Sequence, residues 1–66
     1  MQIYLNGEEK QIPVELDMAG LIKLLELTDQ RIAVEVNGEL VPRSTFSGHP
    51  LKADDQVEII HAVGGG

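Results

Sequence analysis

The sequence of 66 residues has no cysteine and no tryptophan, and its aromatic residues are Tyr4 and Phe46 alone. Without cysteine the chain can form no disulfide, offer no thiolate nucleophile and hold no cysteine-ligated zinc or iron–sulfur centre. Basic residues are also scarce. Lys10, Lys23, Arg31, Arg43 and Lys52 are scattered among 11 acids, leaving a net charge of -6. Nucleic acid is therefore not an expected partner, because phosphate binding depends on clustered cations. The acidity fits either solubility or steering towards a basic protein surface. No apolar run approaches the roughly 20 residues of a membrane span. The start MQIYLNGEEK has no basic stretch leading into an apolar one. An unprocessed cytoplasmic chain with no membrane partner is the expectation. Phosphate loop, HExxH and nucleophile elbow are all missing, so catalysis by this chain is not expected.

What is present is periodicity. Met1, Ile3 and Leu5 alternate with Gln2, Tyr4 and Asn6 in the manner of a half-buried strand, and Asn6-Gly7 is a tight-turn pair. The alternation resumes with Ile12, Val14 and Leu16 on one face, predicting a hairpin over 1–16 in which Pro13 puts the second strand at a sheet edge or at least turns that position outward. Asp17 is placed to cap a helix carrying Met18, Leu21, Ile22, Leu24, Leu25 and Leu27 at helical spacing, with Gly20 in its first turn. So apolar a helix needs the concave face of a sheet as its cover. From Arg31 the period is two again. Ile32, Val34 and Val36 alternate with Ala33 and Glu35, Asn37-Gly38 marks a second hairpin, and Leu40-Val41 form its return strand. RSTFSGHPLKADD reads as a loop anchored by Phe46 and Leu51. Asp54-Asp55 in it reads as turn chemistry, since adjacent carboxylates diverge. A final strand over 56–62 sets Val57 and Ile59 on one face and Glu58, Ile60 and Ala62 on the other. The expectation is an α+β domain over 1–62, a mixed sheet of four to five strands around one helix, followed by a flexible tail over 63–66.

His49 and His61 stand apart, and no metal site is expected from them. The tail is harder to set aside. Val63 is followed by Gly64, Gly65 and Gly66 in continuation of the last strand. Such glycines are expensive to order, so they do not serve stability. Extended, three residues reach about 10 Å, enough to carry a carboxylate into a cleft too narrow for a Cβ. A carboxylate is a poor electrophile until another protein activates it, typically as an acyl-adenylate formed with ATP and magnesium. The chain would then be a cosubstrate rather than a catalyst. On the strand faces, Tyr4, Ile60, Ala62 and Val63 are the candidate partner surface beside that tail, a small apolar patch rimmed by acids.

Taken together, MQIYLNGE, LIKLLEL, VEVNGELVPRS and DQVEIIHAVGGG give a chain that resembles, over its whole length, the ThiS family of ubiquitin-like sulfur carriers of thiazole and thiamine biosynthesis. The resemblance implies a ubiquitin-like β-grasp fold and a thiocarboxylate on Gly66. It also implies three partners: an E1-like, ThiF-like adenylyltransferase using ATP and magnesium, a cysteine desulfurase system supplying sulfur, and a ThiG-like thiazole synthase receiving it. The family's terminal glycine pair maps onto Gly65 and Gly66, with Gly64 extending it. The chain departs from the family pattern at Asp54, where a glycine is frequent, and at Met18-Ala19-Gly20, where the helix commonly opens with Thr-Val. Three other readings remain open: a MoaD-like carrier for molybdopterin synthesis, a non-covalent β-grasp interaction domain, and protein conjugation in the manner of ubiquitin.

Overall fold

The computed structural model describes residues 1–62, so the tail expected over 63–66 lies outside the described residues. Five strands and one α-helix follow the chain as β1 (Gln2–Leu5), β2 (Glu8–Gln11), α1 (Met18–Leu24), β3 (Ile32–Val36), β4 (Glu39–Val41) and β5 (Gln56–His61), with a 3-10 helix at Arg43–Gly48. They form one mixed sheet in the order β2-β1-β5-β3-β4. The last strand is thus its centre, parallel to β1 and antiparallel to β3. The arrangement is the β-grasp that the resemblance implied, with five strands.

Both hairpins turn where Asn-Gly predicted. Asn6 and Asn37 have φ of 50° and 52°, and Gly7 and Gly38 both have 85°, the two successive positive values of a turn that matches strand twist. Alternation then sorts the side chains. Ile3, Val34, Val36, Val57 and Ile59 point inward with Val41, and meet Met18, Leu21 and Ile22 of the helix, while Phe46 and Leu51 close the core as expected. The Asp17 side chain caps the helix by accepting from the Gly20 N–H at 2.7 Å. Gly20 is closely packed: a Cβ there would lie 2.5 Å from Leu16 Cδ1.

Four boundaries differ from the periodic reading, and for two of them the physical reason is plain. β2 stops at Gln11, and of the expected inward trio only Ile12 is buried, while Val14 is 69% exposed. Pro13 has no N–H to continue the ladder. From there the chain leaves β1 and runs beside 49–51, where Met18 N–H donates to His49 O and Leu51 N–H to Leu16 O. The helix ends at Leu24 although the apolar spacing continues. Glu26 adopts φ of 60°, and two bonds close the end, Glu26 N–H to Lys23 O and Leu27 N–H to Ile22 O, a Schellman turn with glutamate where glycine is usual. Replacing Glu26 by glycine should therefore raise stability by about 1 kcal/mol, the penalty of a left-handed non-glycine residue, read as a higher midpoint in urea unfolding. The loop after Pro42 winds into the 3-10 helix, and β5 ends one residue early, at His61.

Candidate functional site

The strand that runs into residues 63–66 is held on both sides. Towards β3, the register runs from Val36 opposite Val57 to Ile32 opposite His61, and Ala62 N–H still donates to Arg31 O at 2.9 Å. Towards β1 the pairing is short. Tyr4 N–H donates to Asp55 O and Asn6 N–H to Val57 O, after which the chain turns away into the first hairpin. One rung further, the Asn6 side chain takes over from the backbone. Its Oδ1 accepts from Ile59 N–H at 2.8 Å and its Nδ2 donates to Ile59 O at 3.4 Å. At the other end of β5, Asn37 Oδ1 accepts from Gln56 N–H and Asn37 Nδ2 donates to Asp55 Oδ1.

Asp55 is buried, and its second carboxylate oxygen accepts from Lys52 N–H at 2.8 Å, so the Asp54-Asp55 pair performs turn chemistry as expected. Next to the end of β5, Arg43 donates to Thr28 O and Gln30 O at 3.2 and 2.6 Å and lies over the Phe46 ring at 5.7 Å. It thereby ties down the segment that leads into Arg31, the last partner of β5.

The outer face of the sheet carries Ile60, 52% exposed, and directly across from it Ala33. Glu58 and Glu35 form the next row, with Leu40, 69% exposed, opposite Glu35. Tyr4 shares this face but stands level with Gln56, four residues from Ile60, about 13 Å along the strand. The candidate residues Ile60 and Ala62 are therefore joined by Ala33, with Leu40 two strands away in the row of Glu35 and Glu58, and Tyr4 sits apart, its hydroxyl accepting from Gln2 Nε2. Val63, Gly64, Gly65 and Gly66 lie outside the described residues. Alternation placed Ala33 on the outer face, but only strand order puts it beside Ile60. No local signal links Asn6 to Ile59, 53 residues away.

His49 lines a groove of about 440 Å³ along β4, with Leu40, Thr45, Lys52 and Asp55 among its walls. His61 is exposed at the end of β5. Among the described residues no group of three or more His, Asp or Glu is placed to hold a metal ion, and no helix is long and apolar enough to cross a membrane.

A family model described as "ThiS family" matches residues 3–66. A solved structure, the thiamine biosynthesis protein (ThiS) from Geobacter metallireducens, superposes with a TM-score of 0.87 at 29% identity, covering all of both chains. A thiazole synthase from Magnetococcus marinus is 38% identical over 66 residues, and this chain spans 20% of its length. An uncharacterized protein, ycf40, of Porphyra purpurea is 36% identical over 66 residues that make up 93% of it.

Proposed function

The chain belongs to the ThiS family, and from that membership we propose that it is a sulfur carrier of thiamine biosynthesis whose reactive group is the carboxylate of Gly66. An E1-like, ThiF-like enzyme using ATP and magnesium adenylates it. The carboxylate oxygen attacks the α-phosphorus and pyrophosphate leaves; the terminal sulfur of a persulfide drawn from a cysteine desulfurase system then displaces AMP to form an acyl disulfide, and a thiol attacks the outer sulfur of that disulfide, releasing the thiocarboxylate and itself ending in a disulfide. The sulfur passes to a ThiG-like thiazole synthase in the same cytoplasmic compartment. In this reading the chain is not a catalyst. It binds no cofactor of its own, and residues 1–62 serve as the body that partners hold while 63–66 reach into their active sites.

The observation that carries the reading is the family match, which runs to the glycines that follow the central strand. The thiazole synthases that contain a segment like this chain support thiazole synthase as the receiving partner. The decisive experiment is mass spectrometry of the chain after incubation with the activating enzyme, ATP and a sulfur source. A mass gain equal to exchanging one carboxylate oxygen for sulfur, localised to Gly66, is the expected result. Transfer of Gly66 to a lysine would mark a conjugation tag instead, and an unmodified chain would leave a non-covalent binding domain.

The docking surface in this reading is the outer face beside the tail, with Ile60 and Ala62 joined by Val63, and Ala33 and Leu40 extending it; Tyr4 marks its far margin. Its acidic surroundings, Glu35 and Glu58 among them, favour a basic counterpart. Association with the activating enzyme should accordingly slow as salt shortens the screening length from about 10 Å at 0.1 M, as stopped-flow rates against ionic strength will register. A salt-independent rate would reduce the charge of -6 to a solubility feature.

A further inference from the structure

β5 occupies the centre of the sheet, yet its β1 neighbour covers only the first part of it. In the parallel pairing, Tyr4 and Leu5 stand beside Gln56 and Val57, and nothing of the β1 backbone reaches Ile59. The residues of β5 whose N–H and C=O face β1 are the odd-numbered ones, since Gln56 and Ala62 bond towards β3. Ile59 is thus the first rung that the backbone of β1 leaves open, and it is the rung on which the Asn6 carboxamide sits. Oxygen and nitrogen of that carboxamide are assigned by the partners themselves: the Ile59 N–H can only donate and its carbonyl can only accept. Together with the Asn6 N–H on Val57 O at 2.8 Å, three bonds from one residue grip two successive rungs.

The turn by itself does not call for this. Glycine meets the positive φ of position 6 at least as well as asparagine, so a carboxamide there adds something other than turn geometry. Asn37 supplies the contrast within the same molecule. It has the same turn position, its φ is within a few degrees of that of Asn6, and it also clamps β5, but at Gln56, the end remote from 63–66. Beyond Ile59 the described contacts of β5 are those with β3, ending at Ala62 N–H to Arg31 O.

We propose that Asn6 is a positioning residue for the reactive end of the chain, its carboxamide acting as a detached rung of β1 that fixes β5 at Ile59 and so sets the direction in which the strand leads towards residue 63. The proposal deepens the carrier reading and rests on it for its functional consequence. A partner that must thread a narrow channel gains when the strand feeding that channel is already held in one direction, because less freedom is lost on docking.

The test compares Asn6→Gly with Asn37→Gly in the full chain. Each keeps a turn former at its positive-φ position and removes one carboxamide from β5. Amide hydrogen exchange should show Ile59 and Ala62 exchanging at least ten-fold faster in Asn6→Gly, beyond any change shared by the buried amides of Val34 and Val57, and not in Asn37→Gly. With the activating enzyme, Asn6→Gly should raise the KM for the carrier several-fold at unchanged kcat, whereas Asn37→Gly should leave KM near that of the parent chain. Unchanged exchange at Ile59 and Ala62 overturns the proposal, as does an equal effect of the two variants in exchange or in KM. Failure of the carrier reading is visible separately, as a parent chain that acquires neither AMP nor sulfur at Gly66, and the exchange measurement decides the clamp in that event too.

Discussion

If the chain is the proposed carrier, a version shortened by Gly66, or lengthened by one residue after it, should fold as before and escape adenylation. The folding half of this expectation follows from where the core lies. Its buried residues run from Ile3 to Ile59, and the last described hydrogen bond along the strand is made by Ala62. Nothing in that set depends on position 66. The chemical half follows from the reaction: in the carrier reading the attacking oxygen belongs to the terminal carboxylate, and its position in the activating site is fixed by the number of residues between it and the docked body. Shortening by one residue withdraws the carboxylate by about 3.5 Å, beyond the in-line reach that phosphoryl or adenylyl transfer tolerates. The loss should be at least two orders of magnitude in rate, measured by ATP–pyrophosphate exchange, with thermal midpoints equal to those of the parent. Replacing Gly65 by valine separates length from width. It leaves the carboxylate at its full distance and adds a branched side chain that a narrow channel must accommodate. Its effect should appear mainly in KM. A shortened chain that still exchanges pyrophosphate at the parent rate would place the reactive group elsewhere.

The second large effect concerns two neighbouring isoleucines with opposite fates. Ile59 is 7% exposed and faces the helix; Ile60 is 52% exposed and faces outward beside Ala33. Ile59→Asp puts an unpaired carboxylate among Val34, Val57 and the helix residues, a change in the class that exceeds about 4 kcal/mol, while a core of this size supplies only about 3–5 kcal/mol. The variant should be unfolded at 25 °C by circular dichroism. Ile60→Asp meets solvent, and its nearest like charges are Glu58, two residues back on the same face, and the diagonal neighbour Glu35. Its stability loss should stay under about 1 kcal/mol, while affinity for the activating enzyme drops ten-fold or more if the outer face is the docking surface. A folded Ile59→Asp would reverse the face assignment. Wild-type affinity in Ile60→Asp would remove this face from the interaction.

Much of the fold was legible because the local signals agree with one another. Asn6-Gly7 and Asn37-Gly38 placed both turns to the residue, period-two alternation sorted Val34, Val57 and Ile59 inward, and Asp17 capped the helix. The failures lie where a tertiary contact overrides the pattern. Val14 keeps the apolar alternation, yet Pro13 ends the ladder before it and the chain docks instead against 49–51. Leu24 and Leu27 keep the helical spacing, yet Glu26 accepts a left-handed conformation because Leu27 N–H finds the Ile22 carbonyl.

The sequence by itself determined what is periodic or covalent: which residues alternate, where the hairpins turn, the absence of thiol chemistry, and a glycine run set directly behind a strand. Those properties depend on neighbours a few positions apart. The order of strands depends on residues that are far apart, and only the tertiary structure decided it. It set β5 between β1 and β3, moved Tyr4 four residues away from Ile60, brought Ala33 beside that isoleucine, and carried the Asn6 carboxamide across 53 positions to Ile59. Backbone pairing is blind to side-chain identity, so strand order leaves no local mark in the sequence. It emerges when the helix must be covered and every interior N–H and C=O must find a partner at once.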